Sequence, residues 1–149
     1  MSEFLEYTLD KFTFRVATDR YYTADGVWAK EDNGRTTIGL SDFLQQSRGD
    51  IAFADIVELG TTLSFGDEVA NIETIKVDIS LPSPIAGTVI AVNPLMELEP
   101  EVINQDPYGE GWLAIIESAN WVIDQERLLG PQDYFDHIVI KAKEETKNI

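Results

Sequence analysis

Short runs of β-branched and aliphatic residues, broken at close intervals by glycine and proline, fill the middle of this chain and constrain its fold most. Within residues 60–93 the interruptions fall at Gly66, Pro82, Pro84 and Gly87. The run Gly87–Val92 has the residue types of a strand, and Gly87 suits a bend or a close backbone approach. Many short strands with regular turn signals predict an antiparallel sandwich or barrel.

The N-terminal third contains further strand signals and one helix. Every second residue from 12 to 16 is apolar, which predicts a half-buried strand. The pair Asn33-Gly34 lies between two short strand-like runs and predicts a hairpin. Ser41 can cap a short helix, and Gly49 can end that helix in the left-handed conformation.

The pattern becomes helical after residue 120. A helix that ends at Gly130 is predicted by four apolar residues, Trp121, Val122, Leu128 and Leu129. Pro131 can begin a second helix, in which apolar residues recur at helical spacing, at Tyr134, Phe135, Ile138 and Ala142. The 149 residues are enough for one domain with a single core, so we expect one domain over residues 1–149.

The charge and the cysteine content exclude several classes of function. The net charge is −16 and the isoelectric point is about 4.2, so nucleic acid and anionic membranes are not expected partners. The absence of cysteine removes disulfides, thiolate metal sites and cysteine catalysis, so any sulfur chemistry needs an attached cofactor. The acidic N-terminus resembles no targeting peptide and no apolar run suits a membrane span, which predicts a cytoplasmic protein without membrane insertion.

Lys76 is the only positively charged residue between Gly49 and Glu126, a stretch that carries fifteen Asp and Glu. Three interpretations compete. Lys76 could be an ordinary surface charge. A Schiff-base nucleophile is disfavoured, because nearby Glu73 and Asp78 favour the charged ammonium form. In the third, Lys76 is a covalent attachment point. A ligase acylates the amine at the tip of a β-turn and recognises the acidic residues that flank it.

Other catalytic or metal-binding arrangements find little support. His137 is the only histidine, so a histidine metal cluster or a Ser-His-Asp triad cannot be assembled, and we predict no catalytic residue and no metal site. The segment Gly109-Glu110-Gly111 lacks the third glycine and the preceding strand of a phosphate-binding loop. Four large aromatic residues are expected in the core, Trp28, Trp112, Tyr134 and Phe135.

Five segments, in collinear order, resemble the glycine cleavage H proteins over roughly residues 20 to 140. They are Ile38-Gly39-Leu40-Ser41-Asp42, Gly49-Asp50-Ile51, Glu73-Thr74-Ile75-Lys76, Ser83-Pro84-Ile85-Ala86-Gly87-Thr88-Val89 and Asn104-Gln105-Asp106-Pro107-Tyr108-Gly109-Glu110-Gly111-Trp112-Leu113. The last segment separates H proteins from other carriers with the same hairpin. Biotin carriers typically have Met on both sides of the lysine, where this chain has Ile75 and Val77.

The resemblance implies a mainly β fold, a barrel-sandwich hybrid with peripheral and C-terminal helices. Residues 1–20 are then an N-terminal extension and residues 121–149 a C-terminal helical segment. Lys76 would carry lipoate in amide linkage at a hairpin tip, with Glu73 and Asp78 recognised by a lipoate ligase or lipoyl transferase. The protein would be a monomeric carrier and not an enzyme, presenting a dithiolane on a flexible arm to successive partners.

Departures from the H-protein pattern bear on which chemical group the lipoyl arm would carry, that is, on the cargo. Gly26-Val27 precede Trp28, where glycine cleavage H proteins usually have His-Glu, and the extension from Thr8 to Val16 is untypical of them. These differences resemble the H-like lipoate-binding proteins of sulfur oxidation and imply a heterodisulfide-reductase-like complex as partner. The alternative is the aminomethyl carrier of glycine cleavage, with glycine decarboxylase, aminomethyltransferase and dihydrolipoamide dehydrogenase as partners. A second alternative is an unmodified interaction protein with the same fold.

Overall fold

A computed structural model describes residues 3–147 of the chain, and the side chains of residues 3–145. Within this range the protein is mainly β. The strands are β1 Phe4–Leu9, β2 Phe12–Ala17, β3 Tyr21–Tyr22, β4 Val27–Asp32, β5 Arg35–Leu40, β6 Ile51–Ile56, β7 Thr62–Leu63, β8 Glu68–Thr74, β9 Asp78–Pro82, β10 Gly87–Val92 and β11 Ala114–Ser118. The helices are α1 Asp42–Arg48, α2 Leu95–Leu98, α3 Val102–Gln105, α4 Trp121–Gln125 and α5 Pro131–Lys147.

The strands form three antiparallel sheets. The largest has six strands in the order β3-β4-β5-β11-β10-β7, the second has three in the order β6-β8-β9, and β1 and β2 form a separate hairpin. The antiparallel sandwich or barrel predicted from the turn signals is confirmed. Residues 1 and 2 of the predicted N-terminal extension and residues 148 and 149 of the predicted C-terminal segment lie outside the described residues.

Local sequence explains several turns and helix ends. Asn33 and Gly34 both have positive φ, 52° and 81°, as a tight hairpin between β4 and β5 requires. The Ser41 hydroxyl accepts a hydrogen bond from the N–H of Leu44 and so caps α1, and Gly49 follows the helix with a φ of 91°. The hairpin and the Ser41 cap are confirmed. Gly49 ends α1 with a positive φ, but its ψ of −164° lies outside the left-handed helical conformation that was predicted.

Two apolar clusters hold the elements together. The larger lies between the six-stranded and three-stranded sheets and includes the fully buried Val27, Ile38, Ile72 and Ile85. The smaller is largely aromatic and joins the β1–β2 hairpin to α1 and α5 through Phe14, Tyr22, Trp28, Phe43 and Tyr134. This second cluster fixes the N-terminal hairpin on the body of the protein.

The helix predicted to end at Gly130 is shorter than expected, and this prediction was wrong. α4 ends at Gln125, and Leu129 instead exchanges two backbone hydrogen bonds with Tyr22, at 2.8 and 2.9 Å. A residue that pairs with a strand cannot also continue a helix, because its backbone N–H and C=O are already used. The second helix begins at Pro131 as predicted.

The sequence pattern also missed one strand and misjudged one side chain. β1 pairs with β2 from Phe4↔Ala17 to Leu9↔Phe12, although no strand was predicted before residue 11. Phe12 was expected on the half-buried face of β2, but 49% of its surface is exposed. It lies at the end of the β1–β2 hairpin, where fewer neighbours cover it than cover Phe14.

No helix among residues 3–147 is long and apolar enough to cross a membrane.

Candidate functional site

Lys76 lies at the tip of the hairpin between β8 and β9. The last paired residues are Glu73 and Asp78, so the tip comprises residues 74–77. Lys76 is exposed, and its neighbours Ile75 and Val77 are exposed over 72% and 48% of their surface. The tip therefore presents an amine between two exposed apolar side chains.

Thr74 holds the backbone of this tip. Its N–H donates to the carbonyl of Val77 at 2.8 Å, and its hydroxyl donates to the same carbonyl at 2.9 Å. The Thr74 hydroxyl oxygen also accepts from the N–H of Val77 at 3.0 Å and of Lys76 at 3.2 Å. One buried threonine thus accepts hydrogen bonds from the N–H groups of both Lys76 and Val77, which limits the conformations available to Lys76.

A third strand and a loop support the hairpin from one side. The N–H of Ile75 donates to the carbonyl of Asp50 at 3.2 Å, just before β6. β6 then pairs with β8, with Phe53 opposite Glu73. Because the tip is tied to the rest of the three-stranded sheet, the amine of Lys76 is displayed from a rigid support.

Glu73 and Asp78 flank Lys76 on a single face of the hairpin. They are directly opposite one another in the strand pairing, and both side chains are exposed. Opposed like charges destabilise a strand pair, so nothing in the folding of the hairpin favours this pair. Lys76 forms no ion pair with either of them or with any other carboxylate of residues 3–145.

A groove with a volume of about 250 Å³ opens beside Lys76. Its walls come from the β1–β2 hairpin, α1, α5 and the tip itself. The lining residues are Leu9, Phe12, Phe14, Gln46, Ser47, Lys76, Ala142 and Glu145. The lysine therefore stands at the edge of a concave surface that is apolar along its β1–β2 side.

A second groove, of about 240 Å³, lies between α1, α5 and β9. It contains His137, the only histidine of the chain, with Ala24 and Asp25 on the opposite wall. The Nε2 atom of His137 is 3.2 Å from the carbonyl oxygen of Ala24, so this half-buried residue joins α5 to the loop before β4. No group of three or more metal-ligating side chains occurs in the described part of the chain.

A cluster of aromatic rings around Arg20 anchors the hairpin that forms one wall of the first groove. The guanidinium group lies 4.5 Å from the ring centre of Trp28 and 5.1 Å from that of Tyr108, and it bonds to Asp19. The hydroxyl of Tyr108 donates to the carbonyl of Arg15 on β2 at 2.6 Å. These contacts connect the segment after α3 to the N-terminal hairpin.

Burial raises the pKa of three tyrosines in this region. The pKa of Tyr108 rises to about 12, mainly because its ionised form would lose solvation. Burial also raises the pKa of Tyr22 and Tyr134 far above the ordinary value, and their rings stack with centres 4.3 Å apart. All three hydroxyls therefore stay protonated at neutral pH, and they act as structural hydrogen-bonding groups.

The aromatic residues predicted for the core occupy it to different degrees. Trp28 and Tyr134 are buried, whereas Trp112 and Phe135 are partly buried at its margin. Gly111, in the segment first compared with a phosphate loop, packs against backbone: a Cβ there would lie 2.8 Å from the carbonyl oxygen of Asp106. Because Gly111 has no side chain, its backbone can pack closely against α3.

Sequence reasoning identified Lys76, Glu73 and Asp78, which the structure brings together, but it missed Thr74 and the groove residues Leu9 and Phe12. A signal for Thr74 was present, since a hydroxyl residue just before a tip often bonds to the backbone two residues on. Leu9 and Phe12 also had a local signal, because they are apolar residues that flank the turn of the β1–β2 hairpin, where polar residues are the ordinary choice.

Comparison with known proteins gives a consistent result. Residues 20–141 match the family model described as glycine cleavage H-protein. The chain is 41% identical to a glycine cleavage system H protein of Salinibacter ruber over 116 residues, which are 78% of this chain and 93% of that one. It is 39% identical to glycine cleavage system H protein 4 of Aquifex aeolicus over 135 residues, 89% of this chain and 78% of that one.

A solved structure agrees with the sequence relatives. The crystal structure of a glycine cleavage system H protein from Mycobacterium marinum superposes with a TM-score of 0.72 at 29% identity. The match covers 78% of this chain and 94% of that one. The predicted barrel-sandwich hybrid of H-protein type, with its peripheral helices, is therefore confirmed. Residues 4–17, the β1–β2 hairpin, lie outside the range that the family model matches.

Proposed function

This chain belongs to the glycine cleavage H-protein family, and from that membership we propose that Lys76 is the residue on which it carries lipoate. Proteins of this family are carriers with lipoate covalently attached to a lysine. The assignment of the attachment site to Lys76 rests on the position of this residue. It is an exposed amine with no ion-pair partner among residues 3–145, at the tip of a hairpin whose backbone Thr74 holds in place.

The residues around Lys76 suit covalent attachment better than catalysis. An amine used as a nucleophile in turnover needs burial or a nearby cation to lower its pKa, and Lys76 is exposed between two carboxylates. A ligase removes that difficulty because it supplies an activated acyl group. The ε-amine loses a proton and attacks the acyl carbon, the amide bond forms, and the bond to the activating group breaks.

We assign Glu73 and Asp78 to recognition by the lipoate ligase or lipoyl transferase. The two carboxylates form an exposed, like-charged pair immediately beneath the tip, on one face of the hairpin. Such a pair costs stability rather than adding it, which is typical of residues retained for binding. Lys76 is also the only cation across residues 49–126, so few competing amines lie near it in sequence.

Once attached, the lipoyl group supplies a dithiolane, whose disulfide opens and closes by thiol–disulfide exchange. The contribution of this protein is to hold that group at the end of a long tether on a rigid tip. Tethering gives each docked partner an effective concentration of reactive sulfur on the order of millimolar. The protein itself needs no catalytic side chain for this role.

Two cargoes are compatible with such a carrier. The curated relatives are named glycine cleavage system H proteins, which favours the aminomethyl group of glycine cleavage. Its partners would then be glycine decarboxylase, aminomethyltransferase and dihydrolipoamide dehydrogenase. We place this cargo first because it agrees with the names of relatives that share about two-fifths of the residues.

A sulfur intermediate passed to a heterodisulfide-reductase-like complex is the second candidate, and two observations favour it. Val27, which is fully buried, stands where glycine cleavage H proteins usually have glutamate, so a carboxylate is missing beside Trp28. The β1–β2 hairpin is an addition outside the matched region and changes the surface next to Lys76.

Reconstitution with glycine decarboxylase separates the two cargoes. The lipoylated protein would be incubated with the decarboxylase, glycine and labelled bicarbonate, and exchange of label into glycine would be measured. We expect exchange with the lipoylated protein and none with the Lys76→Arg variant. If a lipoylated Salinibacter ruber H protein supports exchange under the same conditions and this protein does not, the aminomethyl role is excluded and the sulfur role is retained.

A further inference from the structure

A β-bulge in β6 turns an aromatic ring away from the core. Ile51 and Phe53 pair with consecutive residues of β8, so Ala52 between them is an extra residue without a partner in that strand. Residues two apart in a strand ordinarily point to the same face, but Ile51 is buried and 65% of the surface of Phe53 is exposed. The backbone of β6 therefore sets the exposure of Phe53.

A second exposed apolar side chain, that of Leu98, shares a groove with this ring. Leu98 is the last residue of α2 and is 75% exposed, whereas Met96 of the same helix is buried in the core. Phe53 and Leu98 line one groove of about 500 Å³ between β6 and α2. Apolar side chains that adjoin one another within a polar rim are typical of protein–protein interaction sites.

The charged side chains that line this groove are all acidic. Asp55 and Glu97 are two of them, both are exposed, and neither forms an ion pair within residues 3–145. The net charge of −16 makes a second copy of this chain an unfavourable occupant, because the two copies repel one another. A partner surface that carries Lys or Arg would instead be attracted.

The groove opens beside the hairpin that displays Lys76. Phe53 and Glu73 are directly opposite one another, so their side chains share the exposed face of the three-stranded sheet. Glu73 precedes Lys76 by three residues, which span at most about 11 Å along the chain. β6 is an outer strand of this sheet, and no strand within residues 3–147 pairs with its free edge. A protein that docks here would have the arm of Lys76 next to it.

We propose that the Phe53–Leu98 surface, formed by Phe53, Asp55, Glu97 and Leu98, is a docking site for an enzyme that acts on the loaded arm. The matching surface of that enzyme presents an apolar side chain framed by Lys or Arg. The proposal rests on the proposed attachment of lipoate at Lys76. It gives a role to residues that neither the attachment nor recognition by the ligase requires.

The two kinds of side chain on this surface contribute differently to docking. Burial of Phe53 and Leu98 supplies the affinity, because apolar area is removed from water. Asp55 and Glu97 attract the basic partner during its approach, so they act mainly on the association rate and their effect weakens with salt. A patch of two apolar side chains suits a weak, short-lived complex, as a carrier that visits successive partners requires.

Steady-state kinetics with glycine decarboxylase test this docking site. The exchange of labelled bicarbonate into glycine would be measured against the concentration of loaded carrier, for the wild type and Leu98→Ser. We expect the KM for the carrier to rise at least about fivefold with kcat unchanged, because only binding is weakened. Leu59→Ser is the matched control, since Leu59 is a 67% exposed leucine outside the groove, and it should keep the wild-type KM. Equal KM values for the two variants would overturn the proposal.

A synthetic peptide tests the same surface without reference to the cargo. The probe is a Leu-Phe pair flanked on both sides by arginine, and its control has glutamate in place of each arginine. Either peptide would be titrated into the full-length, ¹⁵N-labelled protein. We expect the basic peptide to shift the amide resonances of Phe53, Asp55 and Leu98, and the acidic peptide to shift none of them. Absence of these shifts, or equal shifts at Leu59, would contradict the proposal.

The outcomes separate this proposal from the proposed function. Intact mass measured beforehand shows whether Lys76 is acylated, and an unmodified protein would reject the attachment site itself. If the loaded wild type supports no exchange, the aminomethyl role fails and the peptide titration decides whether the surface binds a basic partner. If Leu98→Ser slows loading by the ligase, or converts a wild-type dimer into a monomer, the surface belongs to the ligase or to a second copy and the proposal is overturned. Phe53→Ser replaces Leu98→Ser if the latter does not fold.

Discussion

The hydroxyl oxygen of Thr74 accepts a hydrogen bond from the backbone N–H of Lys76 at 3.2 Å, so the residue before the tip fixes the residue that carries the amine. The same hydroxyl accepts from Val77 at 3.0 Å and donates to the Val77 carbonyl at 2.9 Å. Two backbone donors and one carbonyl at the tip therefore depend on a single buried side chain.

Replacing Thr74 by valine should loosen the tip. Valine keeps the shape but removes the hydroxyl, so its hydrogen bonds with Lys76 and Val77 are lost, which costs about 0.5–1.5 kcal/mol. For a chain of this size that lowers the melting temperature by about 2–4 °C for each kcal/mol. We also expect slower lipoylation by a ligase in vitro. Thr74→Ser keeps the hydroxyl and is the matched control; equal loading rates in the two variants would show that the tip needs no such lock.

Replacing Glu73 by a neutral residue should weaken recognition by the ligase while it stabilises the fold. Glu73→Gln removes the repulsion with Asp78 across the strand pair, so the unfolding free energy should rise by about 0.2–1 kcal/mol. Lipoylation should nevertheless become several-fold slower, because the ligase loses a charged contact. Glu101→Gln, an exposed carboxylate at the start of α3, controls for the change in net charge. A Glu73→Gln protein that is loaded at the wild-type rate would remove Glu73 from the recognition surface.

Gly87 should tolerate no side chain. A Cβ at this position would collide with the backbone carbonyl oxygen of Glu117 and lie 2.7 Å from Cγ2 of Ile116 on β11. Gly87→Ala must push β10 and β11 apart, and we expect a loss of at least about 2 kcal/mol in chemical denaturation. Gly130→Ala is the control, because a Cβ there would meet no atom within 4 Å beyond its chain neighbours and the φ of Gly130 is ordinary. Equal midpoints for the two variants would contradict the close approach.

Alkaline pH should destabilise the protein through its buried tyrosines. The pKa of Tyr108 rises from 10.0 in the unfolded chain to about 12 in the folded one, and burial raises the pKa of Tyr22 and Tyr134 as well. The folded state therefore holds protons that the unfolded state loses above pH 10. The stability from these groups is complete below pH 10 and declines as the pH rises toward the folded pKa, by about 1.4 kcal/mol per pH unit for each tyrosine.

Tyrosinate absorbance checks this directly. Of the five tyrosines, Tyr22, Tyr108 and Tyr134 should ionise only together with the loss of near-ultraviolet circular dichroism, because burial raises the pKa of each. Smooth titration of all five near pH 10, with the fold intact, would contradict the burial of Tyr22 and Tyr134.

Local signals in the sequence predicted the parts of the fold that depend on local backbone geometry. Asn33-Gly34 predicted its hairpin because few residues adopt positive φ, and Pro131 predicted the start of α5 because it has no N–H to satisfy. The early end of α4 was not predictable in this way. It depends on the pairing of Leu129 with Tyr22, more than a hundred residues away in the chain.

The candidate site likewise has a part that local sequence predicted and a part that it did not. Lys76, Glu73 and Asp78 could be identified because they adjoin one another in sequence and interrupt a strand-like run. The groove could not, because its walls come from Phe12, Gln46 and Ala142, which only the packing of the β1–β2 hairpin on α1 and α5 brings together. Long-range contacts such as the Tyr108–Arg15 hydrogen bond set that packing, and no local pattern encodes them.

The central claim is that lipoate is attached at Lys76, and the intact mass of the protein after treatment with lipoate and its ligase tests it most directly. The wild-type protein should gain the mass of one lipoyl group, and peptide mapping should place it on Lys76. Lys76→Arg should gain none while keeping the wild-type melting temperature, because arginine preserves the charge on an exposed tip and is not acylated. A wild-type protein that stays unmodified, or a lipoyl group found on another of the six lysines, would contradict the claim.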